Sequence, residues 1–288
     1  MKVLTLLLAM LASVCAFAQI GVKLESNHPA YLRYEPIRLK VTLTNMSGNT
    51  LIFGGKEAHE KGSLTFHVSS LSGRHVRPLD LNANPLSNVI MAPNESKVLF
   101  VRFNNLYNVQ REDTYTITAI AEHSRLPTRY KSNTLTLDVR DGIKEDERTM
   151  GLPSANSHDM IQMINFVLLR FRDTDGSLYC LRAEDANKVY GTFRVGPYIG
   201  GGRKPQMEVE NGHTLHVLLQ VAPRLYCYTT YSAARKEIKK RQEVYFVAEG
   251  GVPRLGRETG FLKVHNVRVA RRGVDYNKVD DTPFGDEE

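Results

Sequence analysis

Tryptophan is absent from this 288-residue chain. Its absence argues against carbohydrate binding built on exposed indole platforms. Cysteine is scarce, with only Cys15, Cys180 and Cys227. Catalytic signatures are scarce as well. No Gly-x-Ser-x-Gly elbow occurs, and neither Cys180 nor Cys227 has a helpful base beside it in sequence, so no nucleophile is assigned. No His-x-His or His-Glu-x-x-His arrangement occurs, so a zinc site is not expected. His213 and His216 lie three apart, a spacing that puts them on opposite faces of a strand. No catalytic residue, metal or cofactor is therefore assigned. After residue 18, no apolar run approaches the roughly 20 residues that cross a bilayer as a helix, so no transmembrane segment is expected.

The one hydrophobic run stands at the start. Lys2 precedes an apolar stretch from Val3 to Val14, and Ala16-Phe17-Ala18 follows. A charged start, a short apolar core and a small-x-small exit are the pattern of a secretory signal peptide. Cleavage is expected between Ala18 and Gln19, with a periplasmic or secreted product. A buried apolar strand or helix at the N-terminus is the alternative. Val14 is too large for a lipobox ending at Cys15. In an oxidising compartment Cys180 and Cys227 form an even pair that invites a disulfide. Their contexts match, Leu178-Tyr179-Cys180 and Leu225-Tyr226-Cys227. Closing that loop is worth on the order of 4 kcal/mol. Two buried free thiols are the other reading.

Charge is uneven along the chain. The formal total is +7, but residues 275–288 hold six acids and one lysine, a net −5 that reads as a disordered acidic tail. Much of the basic excess lies between Arg203 and Arg272. Nucleic acid is a poor partner outside the cytoplasm. Envelope polysaccharide, lipid headgroups or an acidic protein suit a basic exported surface better.

The chain length suggests two domains. From Gly21 to Val139 the chain reads as seven or eight short strands with regular turns. Ile37 to Thr44 alternates apolar and polar, so Ile37, Leu39, Val41 and Leu43 face inward. Tyr34-Glu35-Pro36-Ile37 through Asn45-Met46-Ser47-Gly48 resembles the opening of bacterial immunoglobulin-like domains. Met91-Ala92-Pro93-Asn94-Glu95-Ser96 is similar to their Pro-Gly-Glu turn, with Asn94 in the glycine's place. Small bacterial proteinase-inhibitor sandwiches share the pattern. The resemblance covers residues of about 20–140. It implies a sandwich that binds or spaces, and it transfers no catalytic residue.

The expected organisation is all-β: signal peptide 1–18, immunoglobulin-like sandwich 19–140, charged linker 141–160, a second β-rich meander or sandwich 161–274, and acidic tail 275–288. In the second domain Asp173-Thr174-Asp175-Gly176 and Asn211-Gly212 read as hairpin turns. Pro205 to Gln220 resembles one blade motif of sialidase-like propellers, but one copy cannot close a ring, and no active site is carried over.

Candidate ligand-binding residues come from two features of that domain. Gly200-Gly201-Gly202 with Arg203 and Lys204 offers amides and two cations to an anion, without phosphate-loop spacing. Arg224, Tyr226 and Tyr228 form an aromatic-cationic stretch in which the two tyrosines share a strand face. That face binds a sugar or peptide, or is the half-buried side of a sandwich. The leading expectation is an exported, non-enzymatic binding or scaffold module of the bacterial envelope. The alternative is a proteinase inhibitor, or a hydrolase whose site in the second domain carries no sequence signature.

Overall fold

The computed structural model describes residues 19–54, 62–80, 82–86, 88–153, 161–210, 213–234 and 237–277. The expected signal peptide and the Asn211-Gly212 turn lie outside these residues. Among the described residues the fold is all-β. Helical structure there is confined to one 3-10 turn, Phe103–Asn105. Among the described residues no helix is long and apolar enough to cross a membrane.

The early strands are β1 (Ile20–Ser26), β2 (Ala30–Leu32), β3 (Arg38–Asn45), β4 (Leu51–Phe53), β5 (Gly62–Ser70), β6 (Val89–Met91), β7 (Ser96–Arg102), β8 (Asp113–His123) and β9 (Tyr130–Arg140). Next come β10 (Ile143–Pro153), β11 (Ile161–Arg172), β12 (Ser177–Glu184), β13 (Val189–Pro197), β14 (Gln206–Glu210) and β15 (Thr214–Ala222). The last are β16 (Leu225–Ala234), β17 (Glu237–Ala248), β18 (Arg254–Glu258), β19 (Phe261–His265) and β20 (Val267–Val269).

The strands gather into two compact units that do not follow chain order. The first takes the described residues up to Asn27, Arg38–Asn108 and Tyr115–Thr136. The second takes His28–Ile37, Val109–Thr114 and everything from Leu137.

The first unit is a set of mainly antiparallel sheets, with β4 and β5 paired in parallel, consistent with a β-sandwich-like fold. One sheet has the order β1-β3-β7; in the other β9, β8, β5, β4 and β6 are successive neighbours. Period-two alternation builds its core: Leu39, Val41 and Leu43 of β3 are buried, as are Tyr115, Ile117, Ala119 and Ala121 of β8. Asn45, fully buried, staples two turns. Its Nδ2 donates to the carbonyls of Asn49, Met91 and Ala92, and its Oδ1 accepts from Ser47 N and Oγ. Asn94 stands at φ +65°, the left-handed conformation that glycine favours and asparagine tolerates. The substitution in the Pro-Gly-Glu pattern is thus conformationally conservative.

The second unit stacks three layers. The sheet β10-β11-β12-β13 packs on β14-β15-β16-β17-β20 through Phe166, Leu168, Leu181, Leu215, Val217, Leu219 and Tyr231. The opposite face of β11 buries Val167, Leu169 and Phe171 against Ala30 and Leu32. A strand covered on both faces reads as a continuous apolar run, and Phe166 to Leu169 is one. β2 is held beside the end of β9, in parallel, with Ala30 opposite Asp138.

Three expectations need correction here. Much of the charged run marked as a linker is edge strand β10, where Arg148 pairs with Asp146 and Glu145 with Arg170. Charges suit a sheet edge because they discourage pairing with another chain. The acidic tail begins later than residue 275: Asp275 accepts two hydrogen bonds from Arg268, at 2.7 and 2.8 Å, and Tyr276 stacks on Tyr245. Residues 278–288 lie outside the described residues.

The third concerns the disulfide. Cys180 and Cys227 are both buried free thiols. Strand alternation separates them. Tyr179 and Leu181 face the second sheet, so Cys180 points the other way, into the layer of Ala30 and Leu32. Cys227 shares its strand face with Tyr231, and its Sγ lies 3.6 Å from Thr229 Oγ1.

Candidate functional site

A cleft of about 670 Å³ in the second unit brings together side chains from three separate stretches of chain. That volume falls within the range of small-ligand sites. One wall comes from the Leu32–Glu35 turn, closed by Glu35 N donating to Leu32 O at 2.9 Å. Tyr34 occupies its third position at φ +67°. Glycine is the residue that this position ordinarily takes, so a tyrosine there stores backbone strain.

The strain is held in place from below. Glu35 is 6% exposed, and its Oε2 accepts from Leu32 N at 2.8 Å. Arg194 of β13 reaches it from the sheet, with Nε to Glu35 Oε1 at 2.5 Å. The same guanidinium donates to Asp173 Oδ2 at 2.7 Å and to Ala30 O at 2.8 Å. Burial pushes the Glu35 carboxyl up, and the Arg194 charge beside it pulls it back. His28 lies close enough to feel both Arg194 and Asp173; burial first, then the Arg194 charge, bring it down to about 4.

Above this cluster a second network faces the cleft. Asp141 holds two guanidiniums, Arg33 Nη1 on Oδ2 and Arg182 Nη1 on Oδ1, each at 3.1 Å. Arg33 also donates through Nε to Gln110 O and through Nη2 to the Tyr34 hydroxyl. The centre of the Tyr34 ring lies 5.2 Å from the Arg33 guanidinium carbon and 6.0 Å from that of Arg182.

The far wall is the β12–β13 turn. Asp185 Oδ1 accepts from the backbone of Asn187 and Lys188. Its Oδ2 accepts from the Tyr190 hydroxyl at 2.5 Å and from Gln162 Nε2 at 2.9 Å. The Tyr190 bond, then the Asn187 amide, hold the Asp185 carboxyl well below the usual carboxylate range. Burial and that same carboxylate push Tyr190 up to about 12. Lys188 Nζ sits 4.2 Å from the Tyr190 ring centre. The cleft therefore presents fixed guanidiniums, carboxylates, amides and two tyrosine rings.

The residues expected from sequence lie elsewhere in the same unit. Arg203 and Lys204 are exposed before β14, where Arg203 N donates to Gln220 Oε1 at 2.8 Å. Arg224 stands at φ +64° in the β15–β16 turn. These three share one end of the β14–β17 sheet. Tyr226 and Tyr228 do not form an exposed binding face: they are 5% and 8% exposed. Their face is covered by Leu255 and Val264 of the β18–β19 hairpin. There the Tyr228 hydroxyl lies 2.6 Å from His216 Nδ1, and Glu210 Oε2 lies 3.4 Å from His216 Nε2. Burial draws the His216 pKa down. With Tyr228 and His216 buried and Glu210 only partly exposed, this reads as a largely buried polar chain.

None of the cleft residues was singled out as a site from sequence. Asp185-Ala186-Asn187-Lys188 is legible as a turn, but nothing local reveals that Arg33 and Tyr34 return to it. Comparison with protein-family models, with curated proteins and with solved structures finds no match to this chain.

Proposed function

We propose that the chain is an exported binding module whose second unit holds a polysaccharide segment in the Tyr34–Tyr190 cleft. The observation that carries this reading is the fixed polar lining around a strained tyrosine. Sugar hydroxyls both donate and accept, and the cleft offers both partners close together. Arg33, Arg182 and Asn187 donate, and Glu184 and Asp185 accept. Tyr34 and Tyr190 line the cleft with aromatic rings, each already faced by a cation, in a chain that has no indole. Arg33, Arg182, Glu184 and Asp185 are already held by neighbours, so little of their side-chain entropy remains to be lost on binding. An unpaired nucleophile poised beside a base is not among these side chains.

Export rests on the pattern of residues 1–18, and a periplasmic or secreted location follows from it. The first unit is read more finely as an immunoglobulin-like sandwich that spaces or presents the second. That reading is supported by its alternating strands and by the left-handed Asn94 turn.

The test is titration calorimetry of the mature protein with fractionated envelope polysaccharide. Saturable binding that weakens about tenfold in Asn187→Ala supports the reading, since each lost hydrogen bond is worth about 1 kcal/mol or more. Binding unaffected by cleft substitutions, or protease inhibition by the intact protein, overturns it.

A further inference from the structure

We infer that the loop end of the β14–β17 sheet is a docking surface for anionic lipid headgroups, independent of the cleft. Antiparallel order puts the start of β14, the β15–β16 turn, the end of β17 and the start of β18 at one end of this part of the molecule. Side chains stitch these loops together. Gln206 Nε2 donates to Pro253 O, and its Oε1 accepts from Leu255 N. Arg224 and Ala248 exchange backbone and side-chain bonds. Asn266 Nδ2 donates to Val252 O at 2.9 Å.

From these loops Arg203, Lys204, Arg224 and Arg254 all project to solvent. Glu249 is the single acid on residues 199–205, 223–224 and 249–254. Arg203, Lys204 and Arg254 make no ion pair among the described residues, whereas Arg268 nearby is fully engaged by Asp275. Unpaired cations in this number leave a local positive field.

The choice of a lipid surface over an acidic protein rests on Val252. It is 47% exposed at the tip of Gly250-Gly251-Val252-Pro253, two residues from Arg254. An apolar tip at a loop end rich in cations matches an interface in which headgroup phosphates lie above acyl chains. An acidic protein surface has no comparable use for the valine.

The experiment is co-sedimentation of the mature protein with vesicles of phosphatidylcholine alone and with one-third phosphatidylglycerol, at low and high salt. Binding to the anionic vesicles that falls with salt is the expected result. Each cation near an anionic surface contributes about fivefold, so Arg203→Ala/Lys204→Ala weakens partitioning by about 25-fold and Arg254→Ala by about fivefold. Val252→Ser removes the part that survives high salt. Tyr34→Gly, in the cleft, leaves partitioning unchanged, so failure here and failure of the polysaccharide reading are distinguishable. Three results overturn the inference: equal binding to neutral vesicles, displacement by millimolar inorganic phosphate, and capture by polyglutamate in place of vesicles.

Discussion

Two arginine–carboxylate networks lie a few residues apart in the second unit and differ in how far their carboxylates reach water. The lower one sets Arg194 between Glu35 and Asp173, with the Glu35 side chain 7% exposed and that of Arg194 20%. The upper one sets Asp141 between Arg33 and Arg182 and leaves Asp141 about one-third exposed. A buried pair must satisfy every charge internally, because removing one partner strands the other in a low dielectric. A solvent-facing pair contributes little to stability, since water screens it. The lower network holds the Leu32–Glu35 turn. In the proposed function the upper one offers its donors to a ligand. Tyr34 joins them: its backbone belongs to the turn and its ring to the cleft.

The comparison breaks most visibly at Arg194. Arg194→Met leaves Glu35 buried without its cation and is expected to lower unfolding free energy by about 3–5 kcal/mol, read from urea denaturation. Adding Glu35→Leu should recover most of the loss, because an apolar pair of similar volume replaces the stranded charge. If the single variant loses less than about 1 kcal/mol, the lower network is not structural.

Tyr34→Gly sharpens the contrast from the other side. Glycine relieves the positive φ, so stability should stay within about 1 kcal/mol of the parent or rise. Affinity for polysaccharide should nevertheless fall about tenfold. A parallel loss of both would merge the two networks into one structural unit.

Much of the strand pattern was legible in the chain, and the reason is period two. Leu39, Val41 and Leu43 bury one face of β3 as their alternation requires. Asp173 to Gly176 closes the β11–β12 hairpin, with Asp173 N donating to Gly176 O. The cleft was not legible, because it depends on Ala30-Tyr31-Leu32 pairing with Asp138-Val139-Arg140, more than a hundred residues away. Three apolar residues carry no period that announces such a return. Tyr226 and Tyr228 misled for a related reason: alternation places them on one face, but the hairpin that covers this face lies nearly thirty residues downstream. The charges of β10 resembled a linker because an edge strand and a linker are both solvated.

Acid sets a smaller test. In the folded protein His28 titrates at about 4, below its ordinary 6.5. The unfolded chain therefore binds more protons between these values, and stability should fall as pH drops from 6.5 to 4. His28→Gln should flatten the Tm profile across that window and leave binding at neutral pH unchanged. An unaltered slope would detach His28 from the lower network. The smallest effect is expected at Lys188→Ala, which removes an exposed cation over Tyr190: affinity should fall two- to fivefold with Tm unchanged.

The central claim is that the Tyr34 cleft binds polysaccharide while the Arg194 cluster beneath it only holds the fold. The most direct measurement is calorimetric titration of envelope polysaccharide into the parent protein and into Tyr34→Gly, with Tm recorded for both. Saturable binding by the parent, about tenfold weaker binding by the variant and matching Tm values are the expected result. Equal affinities in the two proteins, or no binding by the well-folded parent, would contradict it.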